Sequence, residues 1–167
     1  MKGHVSGFAQ QVVDSVDKIV DATLTLYEDV AKKFLPSAVK FTYNWSLREL
    51  TNIFQGVCLM RRDDYTSFPD VVSLWVHEMA RVISDRFFFI SELEVYDGLL
   101  RDVMKKNLGI SNTDDYLLQR PIFTSFANST TGAYKKATSI DALKKTLESK
   151  LADYNETYAM MDLVLFN

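Results

Sequence analysis

Between Phe8 and Phe34 the apolar residues Phe8, Val12, Val16, Ile19, Val20, Leu24, Tyr27, Val30, Ala31 and Phe34 return every three or four positions. Only one face of an α-helix collects side chains at that interval. Pro36 then ends the run, because a proline cannot continue the hydrogen-bond ladder. At about 1.5 Å per residue the helix is roughly 40 Å long. A chain of 167 residues has room for one ordinary domain, or for a small domain with an appendage. A helix of that length inside it suggests a piece that spans or braces something larger.

The periodicity continues downstream. Ser46-Leu47-Arg48-Glu49 fits the capping box, in which a serine and the glutamate three residues later satisfy the free backbone donors of a helix start. Leu50, Ile53, Phe54 and Val57 are its expected buried face, and Gly56 or the Arg61-Arg62-Asp63-Asp64 cluster its end. A third helix is expected after Pro69, with a stripe of Val71, Val72, Trp75, Met79, Val82, Ile83 and Phe87. A second capping box, Ser91-Glu92-Leu93-Glu94, is expected to open a fourth helix that buries Val95, Tyr96, Leu99, Leu100, Val103 and Leu108 and stops at Gly109.

Residues 109–121 read as a linker, and 122–138 as a turn-rich stretch around Asn128-Ser129-Thr130-Thr131-Gly132. Ile140, Leu143, Leu147, Leu151, Tyr154 and Tyr158 define a fifth helix whose stripe implies core packing or a helix–helix contact. The apolar run Met161–Phe166 before Asn167 reads as a packing face whose partner lies elsewhere. Strand signals are too few for a sheet. The expected fold is therefore all-α: about four helices, one of them long, over residues 1–115, then a helical extension over 116–167.

Composition narrows the function. Hydrophobic residues at 47% and charged residues at 25% are those of a globular chain. A net charge of -3 gives no electrostatic reason to expect nucleic acid or an acidic membrane surface as partner. No apolar run approaches the roughly 18 residues of a membrane span, and no signal-like stretch follows Met1, so a cytosolic setting is expected. A single cysteine, Cys58, rules out an internal disulfide, and a buried structural thiol is the expectation for it. His77-Glu78-Met79-Ala80-Arg81 begins like a zinc-protease motif, but Arg81 stands where the second histidine is required, so no metal site is expected. Neither GxxxxGK[ST] nor GxGxxG occurs, which argues against a self-sufficient nucleotide hydrolase.

Arg48 is out of place. A cation in the first turn of a helix is disfavoured by about 0.3–1 kcal/mol, because the free N–H groups there carry partial positive charge. The same helix end welcomes a phosphate, and a guanidinium beside those donors binds one bidentately. Arg48 is thus either one half of an ion pair, with Glu49 or a carboxylate on another helix, or part of an anion site.

Asn44-Trp45-Ser46-Leu47-Arg48-Glu49-Leu50 resembles the sensor-2 segment of AAA+ ATPases, in which an arginine near the start of a lid helix faces the nucleotide of its own module. The wider block, Leu35 to Tyr43, then Leu47 to Leu50, then Ile53-Phe54-Gln55-Gly56, resembles the lid of the third AAA+ module of dynein heavy chains. Leu74-Trp75-Val76-His77-Glu78, Arg81-Val82 and Asp85-Arg86 follow that family's pattern in order and spacing. Arg120-Pro121-Ile122-Phe123, Phe126-Ala127-Asn128, Asp153-Tyr154-Asn155-Glu156 and Met161–Phe166 resemble the opening of the fourth module, in spellings most like axonemal outer-arm chains. Thr42, where the family usually has histidine, and Phe87-Phe88-Phe89, in place of a more polar stretch, depart from the pattern.

The resemblance implies that residues 1–115 form the third module's helical lid and 116–167 the start of the fourth module. It implies that Arg48 senses a phosphate of ATP or ADP held by another part of the module. Its partners would be the rest of the AAA+ ring and, through the full motor, a microtubule of the axoneme. The chain by itself is expected to hold no cofactor and to hydrolyse nothing. The competing reading is a helical scaffold with no nucleotide role.

Overall fold

The structure is a computed structural model in which Met1, residues 3–126 and residues 132–162 are described. It comprises two compact units, Met1–Pro121 and Ile122–Asn167.

The first unit is helical. Helix α1 spans Gln10–Lys33, and its Val12, Val16, Ile19, Ala22, Leu26 and Val30 are buried along one face. Lys32 and Lys33 lie in its last turn, where the helix dipole favours cations. Helix α2 is Leu47–Val57 and α3 is Phe68–Val82, the latter with Pro69 in its first turn. A 3-10 turn, Ser84–Arg86, leads into α4, Ile90–Leu108. Helix α1 packs on α2, α3 and α4, and α2 packs on α3. Trp75 of α3 is fully buried against α1, and its indole N–H donates to Thr23 Oγ1 at 2.8 Å. The Thr23 hydroxyl donates in turn to the Ile19 carbonyl at 2.6 Å. The two polar groups are thus satisfied without water.

Two positions need glycine, one for a close approach and one for its backbone angle. Gly56 lies so near α3 that a Cβ there would sit 1.9 Å from Glu78 Oε2. Gly109 ends α4 in the left-handed region (φ 70°), returning its N–H, and that of Ile110, to the Met104 carbonyl.

Several expectations need correction. The fourth helix begins at Ile90 with Phe89 as N-cap, and the Ser91 capping box does not form. Glu92 is instead taken by Lys40 and Tyr43. Phe87 lies beyond the third helix and packs in an aromatic cluster. Cys58 is half-buried at the C-cap of α2 rather than enclosed. Residues 109–121 are ordered into the first unit: α5 spans Asp114–Leu117, and Thr113 and Leu117 are buried.

The second unit carries the small sheet that the sequence did not suggest. Strands β1, Phe123–Thr124, and β2, Lys135–Lys136, pair antiparallel with Phe123 opposite Lys136. Two-residue strands are too short for alternation to show. Helix α6, Ile140–Thr157, is capped by Ser139, whose Oγ accepts from the Ala142 N–H. None of its residues is buried, so its apolar stripe has no core beneath it among the described residues. The turn at 127–131 and the apolar end at 163–167 lie outside the described residues.

Candidate functional site

The start of α2 is built as its four-residue code requires. Ser46 has extended backbone (φ -134°, ψ 172°), and its Oγ accepts from the Arg48 N–H at 3.3 Å. Glu49 Oε2 reaches back to accept from the Ser46 N–H at 2.8 Å and from the Ser46 hydroxyl at 2.7 Å. That satisfies two of the free donors of the helix start.

The other oxygen of Glu49 faces the body of the unit. Its Oε1 accepts from Arg86 Nη2 at 2.9 Å, and the guanidinium of Arg86 lies over the Trp45 ring at 5.7 Å. Burial by itself would raise the Glu49 pKa. The hydrogen bonds from Ser46 and Arg86 outweigh it and hold the carboxyl at about 2. Glu49 is consequently a committed carboxylate, with one oxygen on the cap and one on Arg86.

The loop before α2 is anchored as firmly. Trp45 donates its indole N–H to the Phe34 carbonyl at 2.7 Å, tying the approach to α2 onto the end of α1. Tyr43 is buried and donates its hydroxyl to Glu92 Oε2 at 2.5 Å. Lys40 Nζ donates to Glu92 Oε1 at 2.5 Å. Burial opposes charge on Glu92, but these donors prevail and lower its pKa. Tyr43, Trp45, Phe34 and Phe87 meet at ring distances of 4.5–6.4 Å.

Against this fixed frame Arg48 stands exposed, and no ion pair to its guanidinium occurs among the described residues. The pairing with Glu49 that the sequence left open does not form, because Arg86 holds that carboxylate. Leu47, Phe41 and Val39, in the preceding loop and at the helix start, are also largely exposed. The helix start is thus closed by its own capping box, and the exposed group beside it is the Arg48 guanidinium.

Sequence reasoning located Arg48 and the box because both are local. It missed Arg86 and Glu92, whose partners lie 37 and 52 residues away. The signal that could have found Arg86 is the box itself: a carboxylate with only one oxygen used by a cap needs a second donor once buried.

His77 is half-buried on α3 and donates from Nδ1 to the Pro121 carbonyl at 3.1 Å. Burial is the main cause that lowers its pKa. Its Nε2 is 4.0 Å from Glu78 Oε1. Glu78 is fully buried and accepts twice from Arg81, at 2.9 and 2.6 Å. The segment that began like a zinc motif is thus occupied with structural bonds. No group of three or more metal-ligand side chains occurs among the described residues, and no helix among them is long and apolar enough to cross a membrane.

The chain belongs to the AAA+ lid domain family, whose profile residues 19–119 match. Almost its whole length is similar to axonemal dynein heavy chains. The flagellar outer-arm dynein beta chain of Chlamydomonas reinhardtii is 41% identical over 98% of this chain. The alpha chain of the same arm is 34% identical over 99%. Human dynein axonemal heavy chain 9 is 30% identical over 97%. The chain spans about 4% of the length of each of these relatives.

Proposed function

We propose that this chain is the nucleotide-sensing lid of a regulatory module in an axonemal dynein motor, with Arg48 as its sensor. Residues 1–115 are the lid of the third AAA+ module, and 116–167 open the fourth. The lid closes over ATP or ADP held by the rest of its own module, and the Gly109–Pro121 connection passes that state to the neighbour. ATP hydrolysis and microtubule binding belong to the full motor, within the axonemal cytoskeleton; the chain alone binds nucleotide weakly or not at all.

One observation carries this reading. Arg48 is an exposed cation at a helix end that disfavours cations, and the carboxylate beside it is already used by Ser46 and Arg86. Arg48 makes no ion pair among the described residues, so an anion from outside the chain would be its favourable partner. The scaffold reading gives Arg48 no task.

The test has two arms. In the intact motor, Arg48→Ala is expected to alter nucleotide-dependent release from microtubules; unchanged gating in a folded motor would support the scaffold. In this chain the same change is expected to leave thermal stability unchanged or slightly raised, by no more than about 1 kcal/mol. A loss of roughly 2 kcal/mol or more, the scale of a broken charged hydrogen bond, would make Arg48 structural instead.

A further inference from the structure

The stretch that joins the two units is fastened to the first one by three separate devices. Arg120 donates from Nη2 to Asp97 of α4 at 2.5 Å, and from Nη1 to the hydroxyl of Ser84 in the 3-10 turn at 3.0 Å. His77 of α3 donates from Nδ1 to the carbonyl of Pro121, the last residue of the unit. Arg101 of α4 bonds to Asp114 and to the buried Thr113 at the head of α5. Leu117 of α5 is buried between these points. A passive connection needs none of this: loops run over the surface and exchange their polar groups with water.

We infer that Arg120 and His77 are positioning residues that hold residues 113–121, the junction between the lid and the next module, rigidly on the lid, so that lid movement is delivered at Pro121 without slack. The inference rests on the lid reading proposed above and names the parts that would carry its relay. Arg120 suits the task chemically. Its fork spans two elements at once, one nitrogen on a carboxylate of α4 and the other on a hydroxyl of the 3-10 turn. A lysine ammonium at the same place would keep the charge but lose the simultaneous hold. His77 fixes the backbone itself, since the carbonyl it binds belongs to the last residue of the unit.

The clamp is local, so its loss is read separately from folding. In this chain, Arg120→Gln is expected to speed hydrogen exchange of the Tyr116 and Leu118 amides, which are bonded to the Thr113 and Asp114 carbonyls, about tenfold, with α1–α4 still protected. Arg120→Lys is expected to restore part of that protection. Unchanged exchange at Tyr116 and Leu118 in Arg120→Gln would overturn the inference. If Arg120→Gln unfolds the unit, His77→Gln loosens the Pro121 end independently and is read at the same amides. In the intact motor, Arg120→Gln is expected to leave nucleotide affinity of the lid's module unchanged while nucleotide-dependent release is lost. Were Arg48→Ala to disturb gating while Arg120→Gln does not, the lid reading would stand and the clamp would be overturned as its relay. Were neither to disturb gating, both would fall.

Discussion

Glu49 performs two jobs with two oxygens, and its charge strengthens both, the bonds from Ser46 and the bond from Arg86. The capping bonds from Ser46 survive replacement by glutamine, which also serves at this position of a capping box. The bond from Arg86 requires a carboxylate to be strong. The folded carboxyl titrates at about 2 against an ordinary 4.5, so its unfolded form binds protons more readily. The resulting stabilisation is complete above about pH 4.5 and is lost as pH falls toward 2, with an upper limit of about 3 kcal/mol. Glu49→Gln is expected to destabilise the unit by about 2–3 kcal/mol at neutral pH. The gap between variant and parent should close on acidification through that window, measured by denaturant unfolding at several pH values. Glu92 titrates in both proteins and cancels in the difference. Curves that stay parallel would assign the bonds to Glu49 from Ser46 and Arg86 no charge dependence.

At the scale of elements, the α2–α3 crossing depends on a missing side chain. Gly56 is a poor helix former, costing about 1 kcal/mol against alanine in a helix interior. Its presence is explained by Glu78, whose carboxylate occupies the space a Cβ would need, 1.9 Å away at the nearest oxygen. Glu78 cannot readily swing aside, since it is fully buried and held twice by Arg81. Gly56→Ala is therefore expected to destabilise the unit by about 1–3 kcal/mol despite the better propensity. Combined with Glu78→Ala its cost should largely vanish, a non-additivity that a double-mutant cycle in thermal unfolding would measure. A stabilising Gly56→Ala on its own would mean that the helices are free to separate.

The same crossing shows what a sequence discloses. Ser46, Pro69 and Gly109 announce helix boundaries because caps and breakers act within four residues. Ser91 misleads because Glu92 obeys a distant demand, the buried Tyr43 hydroxyl and Lys40, in preference to the local one. Arg48 was legible as an anomaly of position; that Arg86 deprives it of a partner required the fold.

For the whole molecule, the distribution of burial sets the order of stability. Among the described residues, every buried apolar side chain except Phe123 and Ala133 lies in Met1–Pro121. The second unit has a two-residue strand pair and a helix with no buried residue. Ile140 and Tyr158 at the ends of its stripe are more than half exposed. An isolated helix of this length is marginal in water, and so is a two-stranded ribbon. Residues 1–121 alone are therefore expected to melt within about 1 kcal/mol of the full chain, because they retain the core that supplies the cooperative transition. Amides of Ile140–Thr157 are expected to exchange far faster than those of α1, α3 and α4. If the extension opens a further module, the heavy chain that continues it should cover the stripe formed by Leu143, Leu147 and Leu151, and exchange in α6 should slow in the intact motor. Equal exchange of α6 in both settings would deny the stripe a partner there and remove the packing argument for placing residues 116–167 in the next module.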